Sequence, residues 1–154
     1  MRDMMREQLP LMQDFIEHEH AQELAAMSEA LDQCSDGLER VERDLLRGRD
    51  PLLGRPGLSA EQAVRALVIK QLNGFSYEEL AFHLADSTCY RRFCRIGGLE
   101  KPPSKSTLQE NIKCLSADTL EAINRHLLSW AKKISVEKGD VVRAVVVRTV
   151  KECH

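Results

Sequence analysis

Arg91, Arg92 and Arg95 crowd into one short stretch, Tyr90-Arg91-Arg92-Phe93-Cys94-Arg95. A guanidinium is a rigid fork of donors that fits either the O6/N7 edge of guanine or a phosphate. On a helix, Arg91 and Arg95 lie one turn apart on one face, with Arg92 beside them. A second set follows closely. Lys105, Gln109 and Lys113 recur every four residues, so a helix places them on one stripe. Ser104, Ser106 and Thr107 gather at its start, where short hydroxyls and free backbone N–H groups suit a phosphate. Each set has a plainer reading. Basic side chains also rim ordinary helical bundles, and hydroxyls at a helix start also serve as caps.

Other chemistry has weaker footing. His18 and His20 are two apart, which on a helix sends them to different sides. Cys89 and Cys94 have no second ligand pair nearby, and Cys153-His154 closes the chain. None has zinc-site spacing, so no metal and no cofactor are expected. Five cysteines at scattered positions read as reduced thiols rather than a disulfide framework. Glu78-Glu79 are adjacent carboxylates whose side chains diverge on a helix, which suits first-turn charge and capping. No phosphate-binding loop, nucleophile elbow or dinucleotide fingerprint occurs.

The elements that must position these groups are helices. Ser59 with Gln62, Ser76 with Glu79 and Ser106 with Gln109 have capping-box spacing. Ala63, Val64, Leu67, Val68 and Leu72 form one apolar stripe, ended by Asn73-Gly74. Tyr77, Leu80, Ala81 and Leu84 form the next. Residues 76–85 and 88–96 therefore resemble the two short helices of a helix-turn-helix, with Tyr90, Phe93 and Cys94 inward and the arginines outward. Ser116 opens a long helix with Leu120, Ile123, Leu127, Trp130 and Ile134 on one side. After Lys138-Gly139, the run Val141 to Val147 reads as one buried β-strand. The expected fold is mainly α, a helical bundle with a helix-turn-helix-like unit and one orphan C-terminal strand.

The first 50 residues differ in character. They hold 6 Lys/Arg against 13 Asp/Glu, whereas residues 51–154 hold 16 against 11. Leu24, Met27, Leu31, Cys34, Leu38, Val41 and Leu45 alternate by three and four, the seam of a coiled coil. Ser35-Asp36-Gly37 interrupts it, which favours two shorter helices, roughly 20–34 and 36–47, packed on the same chain. The expected organisation is an acidic helical arm (1–50), a Gly/Pro-rich linker (51–58), a helical unit (59–138) and a strand remnant (139–154). The basic half favours a polyanionic partner. With no apolar run near the length of a span and no h-region, a cytoplasmic, membrane-free protein is expected.

Residues 54 to 143 resemble the N-terminal region of DDE-type insertion-sequence transposases of the InsH kind. The resemblance is carried by Gly54-Arg55-Pro56-Gly57, the helix from Ser59 to Asn73 and Gly74-Phe75-Ser76-Tyr77-Glu78-Glu79-Leu80. It continues through Tyr90-Arg91-Arg92-Phe93-Cys94, Pro103-Ser104-Lys105-Ser106-Thr107-Leu108 and Gly139-Asp140-Val141-Val142-Arg143. It implies a bacterial protein, found with the nucleoid when bound, that binds double-stranded DNA at the inverted repeats ending a mobile element. The residue patterns above supply the candidate contacts: Arg91, Arg92, Arg95, Lys105, Ser106, Thr107, Gln109 and Lys113. In such proteins a catalytic domain of the RNase H type follows, with three acids holding two metal ions. The first acid belongs on the strand that here reads Arg143-Ala144-Val145-Val146-Val147-Arg148, where Val cannot hold a metal. The chain is thus expected to be a truncated front part without catalytic residues. The alternative is a helical interaction module that forms homodimers, or mixed oligomers with a full-length transposase.

Overall fold

A computed structural model describes residues 19–47 and 57–134. The run Val141 to Val147, expected to be a strand, lies outside those residues, as do residues 1–18 and most of the linker. The described residues form seven helices and no strand: α1 (Glu19–Asp32), α2 (Ser35–Leu46), α3 (Ala60–Asn73), α4 (Tyr77–Asp86), α5 (Thr88–Phe93), α6 (Lys105–Lys113) and α7 (Ala117–Ile134).

Local chemistry sets most of their limits. The Ser59 hydroxyl accepts from Gln62 N at 3.1 Å while Gln62 Oε1 accepts from Ser59 N at 3.3 Å, the reciprocal pair that starts α3. Gly74, at φ 68°, ends it in the left-handed conformation. Ser76 and Glu79 repeat the reciprocal pair at the start of α4. For α6 the cap is Ser104, whose hydroxyl accepts from Thr107 N at 3.3 Å, not Ser106. Proline cannot continue a helix from within, so Pro102-Pro103 keep the chain extended; the helix opens as soon as they end. Ser106 therefore lies inside the first turn.

α3 is the centre. Ala63, Val64, Ala66, Leu67, Val68, Ile69 and Leu72 are all buried, so the helix is apolar nearly all round. α2, α4 and α6 pack on it; α7 packs on α1 and α2, and α1 also meets α5. The two helices of the acidic arm thus share one core with the helices after the linker. Leu24, Met27, Leu31, Cys34, Val41 and Leu45 of the heptad seam are buried in that core.

The interruption of the seam falls at Gln33-Cys34, and Gly37 serves another purpose than breaking a helix. It sits in the first turn of α2, where an added Cβ would come within 2.6 Å of Cys34 Sγ and 3.0 Å of Ile123 Cγ1. Glycine here lets α2 and α7 approach. In an exposed helix, Gly→Ala would stabilise by up to about 1 kcal/mol. Gly37→Ala is instead expected to destabilise by roughly 1–3 kcal/mol, the usual cost of overpacking. Urea denaturation measures it; a variant as stable as the parent would show that the contact yields freely.

Candidate nucleic-acid interface

Two of the first arginine set, Arg91 and Arg95, are bound by other residues of the chain. α5 ends at Phe93, earlier than the expected residue 96. Ile96 N donates to Arg91 O at 2.9 Å and Arg95 N to Arg92 O at 3.1 Å. These two bonds are the Schellman stop, which needs a left-handed residue where Arg95 stands, at φ 57°. Arg95 has therefore left the helix, and it does not share a helical face with Arg91. Its guanidinium pairs with Glu61 of α3 and Asp32 of α1. Arg91 turns back on the loop that follows, with Nη2 donating to Gly97 O at 2.8 Å and Glu100 O at 2.7 Å. Arg92 is exposed on α5.

The residue that organises this region is one that sequence reasoning missed. Arg65 is 1 % exposed, in the middle of α3. Nη1 donates to Ser28 Oγ at 2.8 Å and Phe93 O at 3.1 Å, and Nη2 to Asp32 Oδ1 at 2.9 Å. Its Nε lies 3.6 Å from Glu61 Oε1, and the guanidinium stacks 5.2 Å from the Phe93 ring centroid. Two arginines and two carboxylates thus form a balanced cluster joining α1, α3 and the end of α5. Burial lowers the Arg65 pKa from its ordinary value, and the nearby Arg95 charge adds to this, against Asp32 and Glu61. The signal was present: a single arginine in Ala63-Val64-Arg65-Ala66-Leu67-Val68-Ile69 must either interrupt a buried surface or be paired within it.

The second set stays on the surface. α6 buries Leu108, Asn111 and Ile112 and leaves Lys105, Ser106 and Lys113 exposed, with Gln109 and Thr107 half-buried. The Thr107 hydroxyl lies 3.0 Å from that of Ser104, and its carbonyl accepts from Asn111 Nδ2 at 2.6 Å. Thr107 is thus part of the helix start. Lys105, Gln109 and Lys113 form one stripe about 12 Å long at 1.5 Å per residue, matching about three to four base pairs. The positive charge of the stripe comes from the two lysines and the helix N-terminus, and exposed Glu110 beside it offsets part of that charge. α3 and α4 pack against α6 and hold the stripe in place.

The remaining candidates have structural partners. His20 Nε2 lies 2.8 Å from the Tyr90 hydroxyl, which donates to Asn73 Oδ1 at 3.2 Å, tying α1, α3 and α5 together. Glu79 completes the α4 cap. Burial pushes the Cys94 thiol up to about 12, against the pull of Arg65, and raises that of Cys34. Among the described residues no group of three His, Cys, Asp or Glu side chains could hold a metal ion, and no helix is long and apolar enough to cross a membrane.

A family model described as "Transposase domain (DUF772)" matches residues 11–114. The match takes in the acidic helices as well, whereas the motif resemblance begins at residue 54. It runs through α6 and ends one residue beyond it. No curated protein and no solved structure matches the chain.

Proposed function

We propose, from the premise that the chain belongs to the DUF772 transposase-domain family, that it is a DNA-binding module for the terminal inverted repeats of an insertion-sequence element. The observation that carries this reading is the α6 stripe. Lys105 and Lys113 are exposed, with Gln109 half-buried between them, on a helix whose opposite side is held in the core. In this proposal α6 enters the major groove, Gln109 faces the bases, and Lys105 and Lys113 meet phosphates. Ser106 adds a hydroxyl at the helix start. Arg91 braces the turn that precedes the reader, and Arg95 ties α1 to α3.

The proposal contains no catalytic step. Asp32 and Glu61 are paired with arginines, Glu79 closes a cap, and Glu100 accepts from Gly97 N at 3.0 Å. Carboxylates so occupied fit a binding role better than metal ligation. Dimerisation through the heptad seam is the less favoured reading, since a coiled coil there would have to open the chain's own core.

The test is a gel-shift titration of the terminal repeats of the encoding element against random duplex. Specific binding that weakens with salt is expected. The double variant Lys105→Ala, Lys113→Ala should bind roughly tenfold more weakly, with its salt slope reduced by about 2. Equal affinity for repeats and random duplex would overturn the proposal. Loss of affinity only on replacing Arg92 would move the reader from α6 to α5.

A further inference from the structure

We infer that the turn Gly97-Gly98-Leu99-Glu100 is an apolar wedge that enters the minor groove of the bound duplex, with Leu99 as the inserted side chain. The inference rests on the DNA-binding reading above and adds a distortion of the DNA to it.

Leu99 is 95 % exposed, more than the other large apolar side chains left on the described surface, Leu46 and Phe82. Its exposure is not that of a loose loop. Glu100 N donates to Gly97 O at 3.0 Å, which closes the turn, and Gly97 N donates to the Glu100 carboxylate at 3.0 Å. Arg91 holds both ends through the Gly97 and Glu100 carbonyls. Gln62 Nε2, on α3, lies 3.4 Å from Glu100 Oε1. A turn fixed at both ends and from beneath presents a leucine to solvent at its tip. Such preorganisation would be without benefit to a side chain that meets nothing.

Gly98 adds a second observation. Its φ is not left-handed, and a Cβ there would meet nothing within 4 Å. Neither backbone conformation nor room inside the chain calls for glycine. A bare residue beside an exposed leucine leaves space for close approach of something outside the chain.

The surroundings favour nucleic acid as that partner. Lys101 is exposed just after the turn, and stiff Pro102-Pro103 lead straight to Ser104 and Lys105, the start of the proposed reading helix. Leucine is among the side chains that wedge between base steps from the minor groove, part unstacking them and kinking the duplex away from the intruder.

The test uses the full chain and a short duplex bearing the terminal repeat, with a donor and an acceptor dye at its ends. Binding of the parent is expected to raise energy transfer, as bending shortens the end-to-end distance. Leu99→Ala should bind roughly tenfold more weakly and leave the duplex straight. Gly98→Ala should keep the melting temperature and reduce the bend. Both positions are at the surface, so circular dichroism should show unchanged folding. If the parent does not bind, the DNA-binding reading fails and the wedge fails with it. If the parent binds and Leu99→Ala bends the duplex equally, the wedge alone is overturned.

Discussion

Arg65→Ala is expected to destabilise the chain by about 3–5 kcal/mol, the cost of removing one member of a buried ion pair. That is a large share of the roughly 5–15 kcal/mol that keeps a domain folded. Three effects add. Ser28 Oγ and Phe93 O lose donors in a space where water does not easily replace them. The Phe93 ring loses the guanidinium stacked on it. Asp32 and Glu61 lose Arg65 and keep Arg95 as an ion-pair partner. Asp32 is 47 % exposed and Glu61 31 %, so water offsets part of that last loss. Arg65→Met separates the contributions. It restores volume without charge, and well-packed apolar replacements of buried ionic groups are often tolerated. Met should therefore recover much of what Ala loses. Urea denaturation of both variants gives the comparison. An unchanged midpoint for Arg65→Ala would show that the cluster contributes nothing to stability.

The second large effect belongs to Asp44. This carboxylate is 4 % exposed, near the end of α2. One oxygen accepts from Ser116 N at 2.9 Å, Ser116 Oγ at 3.1 Å and Thr119 Oγ1 at 2.6 Å. The other lies 3.2 Å from Arg47 Nη2. The three donors on Asp44 Oδ2 stand at the start of α7, where a negative charge also suits the helix dipole. Burial would raise the carboxyl pKa, but donation from Ser116 and Thr119, with the Arg47 charge, outweighs it and holds the group below the usual carboxylate range.

A depressed folded-state pKa stabilises the fold above the unfolded value of about 3.9 and loses that contribution as pH falls through the folded one. Asp44→Ala should cost about 3 kcal/mol near neutral pH, the range of hydrogen bonds to a charged group together with the donors left unpaired. Asp44→Asn keeps an acceptor without the charge and should cost less. Both variants should lose less stability than the parent on acidification below about pH 4. Chemical denaturation at neutral and acidic pH measures this. Parallel pH profiles for parent and variants would dismiss the role assigned to the charge.

What could be read from sequence was what neighbours in sequence decide. The caps at Ser59 and Ser76 and the stop at Gly74 stand as their spacing predicts, because each is closed by residues within one turn. The break at Ser35-Asp36-Gly37 favoured packing of the Leu24–Leu45 seam on the same chain, as found, but did not say which helices it packs against. A three-four spacing marks an apolar face without naming α3 and α7 as the helices that cover it. Arg95 was illegible for a related reason. Its left-handed backbone and its ion pairs answer to Asp32 and Glu61, both more than 30 positions away in sequence. The same distance hid Asp44, whose donors lie 72 and 75 positions further on. For the candidate site, the α6 stripe was readable as a face. That Arg91 and Arg95 are bound by other residues of the chain was not, since helical spacing assumes a helix and α5 stops before Arg95.

Arg95 occupies a slot whose backbone favours glycine, and only the carboxylates at 32 and 61 compensate an arginine for standing there. The three positions should therefore drift as a unit. In a related chain that lacks either acid, glycine is expected at position 95, and with it the tie between the acidic arm and the residues before the Leu99 turn would be gone. A lineage that exchanged its arm would have to rebuild the loop that carries Leu99 as well, so the two ends of this unit are not separately replaceable parts.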